Sequence, residues 1–559
     1  MTKYIVRSFF ILIFSICILN FSNAQPLNQK ETFTHQDTLR GTIGPERKWW
    51  DVLHYDVCVT PDYSEKSIKG RTTIRYKVVQ EKHTNYMQID LQKPLGIDTF
   101  YYDNKLYINY PGVPYYNEGN VWHIPLPKAA LNSVHTLTIV YHGIPREAKR
   151  PPWDGGWVWR KDDKGRPWMT VACQGLGASV WYPCKDHQSD EPDDGATLSI
   201  TVPDSLVAVG NGRMTGKKNN NDGTVTWIWT VKDPINNYNL IPYIGKYVNF
   251  TDTLSGEKGK LDISYWVLDY NLEKAKQQFG RDVKPMLHCF EYWFGPYPFY
   301  EDGYKLVESS HLGMEHQSAV AYGNHYQNGY LGRDLSGSGW GLKWDFIIVH
   351  ESGHEWFGNN ITSNDVADMW IHEGITNYSE TIFTDCQYGN EAGDEYCIGT
   401  RKNVTNDKPI IGIYGVNKEG SGDMYYKGGN MMHTIRQVIN DDTLFRSVLR
   451  GLNQTFYHKT VDTKDIEDFI SKRSGKDFSK VFDQYLRTTK IPVLEYKIDG
   501  DKLSYHWANC VDGFNLPVRL NKSTEWLYPN TEWKSITATA ELKDNFQVDK
   551  NFYVTVKKI

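Results

Sequence analysis

The run His350-Glu351-Ser352-Gly353-His354 sets two imidazoles four positions apart, with a carboxylate beside the first. Residues at that spacing lie one above the other on a helix face, so both rings can reach one ion at about 2.1 Å. A zinc ion held this way needs a third protein ligand and an open position for water. Glu373 follows His354 after eighteen intervening residues, in Trp370-Ile371-His372-Glu373-Gly374. The expected centre is therefore one Zn2+ on His350, His354 and Glu373, with Glu351 unbound and free to act as general base. His372 adjoins Glu373 but should face away from the ion. Such a five-residue run also arises by chance on solvent-facing helices. Here the flanks, Phe346-Ile347-Ile348-Val349 and Trp356-Phe357, are apolar. The helix is thus buried, and its polar side chains need partners.

The elements that must hold these groups follow from periodicity. Trp344 to Phe357 reads as one helix and Asp365 to Gln387 as a second, while Thr463 caps another toward Lys472. Glu380 lies two turns after Glu373 on the same face and could hold a zinc-binding histidine through its other ring nitrogen; Asp368 has a similar reading. Upstream, Thr72 to Val78 and His135 to Tyr141 alternate polar and apolar side chains, as half-buried antiparallel strands do. Turns rich in Gly and Asn, such as Gly210-Asn211-Gly212, separate them. The chain therefore reads as a multidomain α+β protein. Its parts are a polar, flexible lead-in over 25–48, an all-β domain over 49–250, a largely helical zinc domain over 251–490, and a small β-sandwich over 491–559.

A length of 559 residues is too much for one core, and 40% hydrophobic residues is an ordinary globular composition. Lys3 and Arg7 precede an apolar run from Phe9 to Phe21, closed by Ser22-Asn23-Ala24. That pattern predicts a signal peptide over 1–24, cleaved near Ala24, and a protein exported to the periplasm or the medium. No later stretch is apolar enough to enter a membrane stably. The net charge of −5 argues against nucleic acid as a partner. Seven cysteines follow the leader without a C-x-x-C pair, so a zinc-finger fold is not expected. Cys386 and Cys397, close in sequence with Gly389 and Gly393 between them, are the expected disulfide.

Several motifs in order resemble the gluzincin aminopeptidases, the aminopeptidase N and leukotriene hydrolase-like zinc peptidases, across roughly residues 50–490. H-E-x-x-H, eighteen residues and E-G are followed by Gly358-Asn359-Asn360-Ile361-Thr362, similar to that family's G-N-x-[IV]-T. Pro183-Cys184-Lys185-Asp186 resembles its P-C-x-D, Phe294-Gly295-Pro296-Tyr297-Pro298 its F-G-x-Y-P, and Tyr425-Tyr426-Lys427-Gly428 its Y-x-K-G. The resemblance implies a thermolysin-like catalytic domain and a tyrosine stabilising the oxyanion, which the register puts at Tyr425 with Tyr426 as the rival. It also implies that peptides with a free N-terminus are the substrates. In Leu312-Gly313-Met314-Glu315-His316-Gln317 the family's G-x-M-E-N keeps Gly313, Met314 and the amine-binding Glu315. Its first Gly becomes Leu312 and its Asn becomes His316, which bears on how the substrate backbone is positioned. Gln174 stands where the family's glutamine does. Many relatives continue into a large helical domain over the cleft; here 491–559 follows instead, so a more open cavity is expected.

Two other functions compete. An endopeptidase would use the same metal site but has no use for a buried carboxylate at Glu315. A silent peptide-binding relative would have no need of an intact base and ligand set.

Overall fold

The computed structural model describes residues 32–107, 114–520 and 525–559. The expected signal peptide lies outside the described residues. Trp50–Asp62 and Ser67–Val78 form a long antiparallel pair whose burial alternates residue by residue, the pattern read from sequence. They occupy the middle of an eight-stranded sheet, and the first also runs parallel to Ala196–Pro203, with Tyr55 opposite Ala196. A four-stranded sheet beside it contains Pro167–Ala172, the strand that delivers Gln174 to the cleft. Their shared core is rich in tryptophan, with Trp49, Trp50, Trp157 and Trp181 fully buried.

The lead-in is folded, which corrects the flexible segment expected over 25–48 for its described part. Thr34 caps a helix, α1 (His35–Gly41), through a reciprocal pair with Asp37. Arg47 is wholly buried; it pairs with Asp90 and donates to the carbonyls of Arg40 (2.7 Å) and Thr42 (3.0 Å). Arg40 lies 3.6 Å from Asp186. Asp90 and Asp186 are far away in sequence, so nothing local announces the segment's order.

A five-stranded mixed sheet opens the catalytic half: Tyr247–Gly256, Gly259–Leu268, Tyr304–Glu308, Val320–Tyr322 and, at the edge, Gly313–Met314. Helices pack on it: α2 (Leu272–Phe294), α3 (Phe346–Gly353), α4 (Trp370–Tyr388), α5 (Asn390–Thr400), α6 (Tyr426–Ile439), α7 (Asp442–Thr455), α8 (Thr463–Ser474) and α9 (Ser479–Arg487). Asp345 caps α3, accepting from the Ile347 and Ile348 amides. The helix ends at His354 rather than Phe357, because Phe357 leaves helical geometry and Gly358 takes φ 132°. In the second expected helix, Asp365 caps a short 3-10 turn (Val366–Asp368) before α4 begins. For α8, the cap is Asp462 and not Thr463. From Trp370 to Asp385 every residue of α4 is buried, so this helix runs through the domain rather than over it.

Residues beyond α9 make a small β unit: a four-stranded sheet (Lys534–Thr537, Lys502–Ala508, Val493–Asp499, Thr555–Lys558), a two-stranded ribbon and a short helix, α10 (Ala540–Asp544). It shares the core of the catalytic half and is tied to it by Arg401, which donates to the carbonyls of Lys550 and Asn551. No helix among the described residues is long and apolar enough to cross a membrane.

The disulfide is Cys289–Cys386, joining α2 to α4, and not Cys386–Cys397. Cys397 is a buried thiol that faces Asn430 of α6, on another side of the helix pair. A peptide map of denatured, unreduced protein should link Cys289 to Cys386 and leave Cys397 alkylatable; a Cys386–Cys397 peptide would overturn the pairing. Because the bond closes a 97-residue separation, Cys289→Ser with Cys386→Ser should lower stability by about 2–4 kcal/mol in denaturant titrations.

Candidate metal centre and substrate cleft

The three expected ligands meet in the structure. His350 and His354 present Nε2 atoms 3.3 Å apart, and Glu373 Oε2 stands 3.6 and 3.3 Å from them. All three residues are buried. The opposite ring nitrogens fix the tautomers. His354 Nδ1 lies 3.0 Å from the carbonyl of Phe357, which can only accept, so Nδ1 carries the proton and Nε2 offers its lone pair. His350 Nδ1 likewise donates to Glu380 Oε1 at 2.8 Å. Glu373 Oε2 is buried with no hydrogen-bond partner, an orphan that a cation would satisfy. Two imidazoles and a carboxylate converging on one point fit zinc.

Local chain geometry sets this up. The break after His354 turns the Phe357 carbonyl back onto the imidazole, and a side chain at Gly358 would sit 3.2 Å from His354 Nδ1. Glu380 is itself held by Asn377 Nδ2 (2.9 Å) and Tyr396 OH (2.6 Å). Asp368 does not join the centre: it accepts from Thr463 and Tyr414 and anchors the start of α8. His372 faces away, its Nε2 accepting from the Ser363 amide at 2.8 Å.

Gly374 of α4 and Gly428 of α6 touch back to back; a Cβ on Gly428 would lie 2.9 Å from the Gly374 Cα. This crossing of two bare backbones lets Tyr425, at the head of α6, approach the ligands. Its ring stands 6.0 Å from that of His350, centroid to centroid, at 26°. Burial first, then Glu373, Glu419, Glu315 and Glu351, push its hydroxyl well up, so it stays a proton donor. Tyr426 also lines the cleft.

The cleft, open to solvent, brings Gln174, Gly313, Met314, Glu315, Glu351 and Tyr425 to the ligands. Gly313 lies on the edge strand so close to the general-base candidate that a Cβ would meet Glu351 Oε1 at 2.6 Å. Glu315 Oε1 accepts from Gln174 Nε2 (2.5 Å) and from Tyr238 OH (2.9 Å), while Asn359 Nδ2 holds the Glu315 carbonyl (2.7 Å). His316 leaves the cleft, with Nδ1 2.5 Å from Tyr243 OH. Burial raises Glu315, with His354 opposing and Glu373 reinforcing. Burial also pushes Glu351 up to about 7 against the pull of His350 and His354.

Sequence reading missed Tyr238, Asn377, Tyr396 and Glu419. Tyr238 holds Glu315 from seventy-seven positions away, while Asn377 and Tyr396 hold Glu380 from three and sixteen; none of the three carries a motif. Glu419 lies in the cleft wall, six positions before Tyr425 in a glycine-rich loop, and that closeness to Y-x-K-G was the available signal.

Residues 282–485 match the profile of the peptidase family M1 domain, and residues 52–238 that of the peptidase M1 N-terminal domain. The chain is 26% identical over 265 residues to aminopeptidase N of Lactococcus lactis subsp. lactis, which covers 43% of this chain and 30% of that protein. It is 22% identical over 468 residues to mitochondrial aminopeptidase 2 of Saccharomyces cerevisiae, covering 80% and 47%. Leukotriene A-4 hydrolase of Xenopus laevis is 23% identical over 367 residues, covering 61% and 57%. The matched segments thus span under two thirds of these relatives. In fold, the chain is similar to a mutant M1 zinc metallopeptidase from Deinococcus radiodurans bound to a Tyr-Ser-Ala substrate. That likeness has a TM-score of 0.66 at 20% identity and covers 80% of this chain and 96% of that one.

One zinc per chain is expected by elemental analysis. Glu380→Ala should weaken zinc about 10- to 100-fold in chelator competition, because His350 loses the group that aims its ring. Unchanged affinity would show that Glu380 does not orient the ligand.

Proposed function

The chain belongs to peptidase family M1, and from that premise we propose that it is a zinc aminopeptidase that removes the first residue of peptides with a free N-terminus. The observation that carries this reading is Glu315. It is buried in the same cavity as the zinc ligands, its Oε1 is held by Gln174 and Tyr238, and no Lys or Arg pairs with it among the described residues. Such a carboxylate suits an ammonium ion, and the α-amine of a peptide is the cation that would stand one residue from the bond to be cut.

His350, His354 and Glu373 would hold the zinc, which when bound would supply Lewis acidity toward the scissile carbonyl and an acidified water. Glu351 takes the proton of the attacking water and later passes one to the leaving amine. Tyr425 donates its hydroxyl to the oxygen that gains negative charge. Glu315 accepts the α-ammonium, and Gln174 and Tyr238 hold Glu315 in place before substrate arrives. Gly313 and Met314 offer a free strand edge along which the peptide backbone can lie. Export belongs to this reading on the strength of the leader-like residues 1–24, and the Cys289–Cys386 bond suits an oxidising compartment.

Glu351→Gln should keep its zinc and lose about 10²–10⁴ in turnover, since it removes a proton acceptor and no ligand. A near wild-type rate would assign the base elsewhere. Glu315→Ala should lower kcat/KM roughly 10- to 150-fold, the worth of a charge-assisted hydrogen bond of about 1.5–3 kcal/mol. Acetylating the substrate's amine removes the same contact, so the two losses should not add. Acetylated peptides cut as fast as free ones, or internal bonds cut first, would make the enzyme an endopeptidase.

A further inference from the structure

Glu419 is a second buried carboxylate in the cleft that the reaction outlined above does not use. It is 8% exposed and shares the cavity wall with Gln174, Glu315 and Tyr425. Its Oε2 is buried without a hydrogen-bond partner. Lys408 is the basic group that acts most on it, with no ion pair between them among the described residues. A carboxylate withdrawn from water with no donor is costly, and the negative charges of Glu373 and Glu315 add to the cost.

The backbone keeps it there. Gly420 turns so tightly that a Cβ would meet the Ile410 carbonyl at 1.8 Å, and the Ser421 amide donates to the Pro409 carbonyl at 2.9 Å. Asn417 Nδ2 donates to the Gly175 carbonyl at 3.1 Å, tying the loop to the residue after Gln174. The side chain therefore cannot relax outward by a movement of a loose loop.

We infer that Glu419 selects the side chain of the substrate's first residue and favours a cationic one, so that peptides beginning with lysine or arginine are the preferred class. This rests on the aminopeptidase reading and extends it. At the Cα of the first residue, the amine is committed to Glu315 and the carbonyl to the zinc and Tyr425. The remaining heavy substituent is the side chain, and Glu419 is the unclaimed charge on the wall it must face. A guanidinium or ammonium there would give Oε2 its missing donor and offset the surrounding negative charge. The apolar wall that includes Met314 and Phe346 suits the methylene stem of such a side chain.

The test is a panel of aminoacyl arylamides (Arg, Lys, Leu, Ala, Glu), each free and N-acetylated, on wild-type enzyme and Glu419→Gln with equal zinc content. Wild type should favour Arg and Lys. Glu419→Gln should reduce kcat/KM for these roughly 10- to 100-fold, mainly through KM, so that the Arg-to-Leu ratio collapses. Glu419→Lys should shift preference toward the Glu substrate, a reversal that a merely structural role would not produce. A wild-type preference for neutral or acidic first residues overturns the inference. So does an equal loss on Leu and Arg, which would mean that Glu419 shares the α-amine or only supports the fold. Failure of the underlying reading looks different: free and acetylated substrates would then be handled alike, whatever the first residue.

Discussion

Buried negative charge in one cleft is the constraint on which the rest of the structure depends. Glu315, Glu351, Glu373, Glu380 and Glu419 are all nearly water-free, and the imidazoles of His350 and His354 are the groups set against them. No compact chain would collect these acids for stability, since each costs desolvation and Glu373 Oε2 and Glu419 Oε2 have no donor at all. The arrangement becomes favourable when positive charge enters, as a dication on the three ligands would supply. Before that, burial raises Glu351 and Glu419 toward protonation. Cation binding should therefore release protons, which couples the loading of the site to the ionisation of its own walls.

Holding these acids together falls to α4. It carries Glu373 in its first turn and Glu380 two turns later, and its last turn is bonded to α2 through Cys386. Because the helix is buried on every side, its polar side chains turn to internal partners, as Thr376 does by donating to the Phe357 carbonyl that also orients His354, and Asn377 by donating to Glu380. The β half contributes from across the cleft. Gln174 and Tyr238 hold the carboxylate that lies next to the edge strand of the other half, so neither half alone sets Glu315 in place.

What the sequence revealed, and what it concealed, divides by range. The zinc ligands were legible because two of them are a helix turn apart and the third recurs in its own motif. The alternation of Ser67–Val78 likewise announced a half-buried strand. The end of α3 was not legible: His354 terminates the helix because Gly358 must be left-handed for the Phe357 carbonyl to turn back, and that requirement comes from the metal site. Proximity in sequence misled for Cys386, whose partner across the helix interface is Cys289 while Cys397 faces α6. Asp368 had the right type and neighbourhood for a ligand's support, yet it serves the start of α8. Arg47 looked like one more charge in a polar leader because its counter-ion, Asp90, lies forty-three positions away.

That same arginine gives the amino-terminal segment an unexpected reach. Gly41 lies against the backbone of Val416 and Asn417, in the loop that carries Glu419, while Arg40 and Arg47 grip the Asp186 segment beside the Gln174 turn. The segment works as a clasp across the two lips of the cleft. Proteolytic trimming past Arg47 would strip the buried Asp90 and Asp186 of their counter-ions and unfasten both lips together. A preparation nicked there would keep most of its mass and its complete zinc ligand set while its grip on substrate slackened. The length of the amino terminus is thus a quality measure for the enzyme's selectivity, and a purification handle belongs ahead of Thr34 or at the other end.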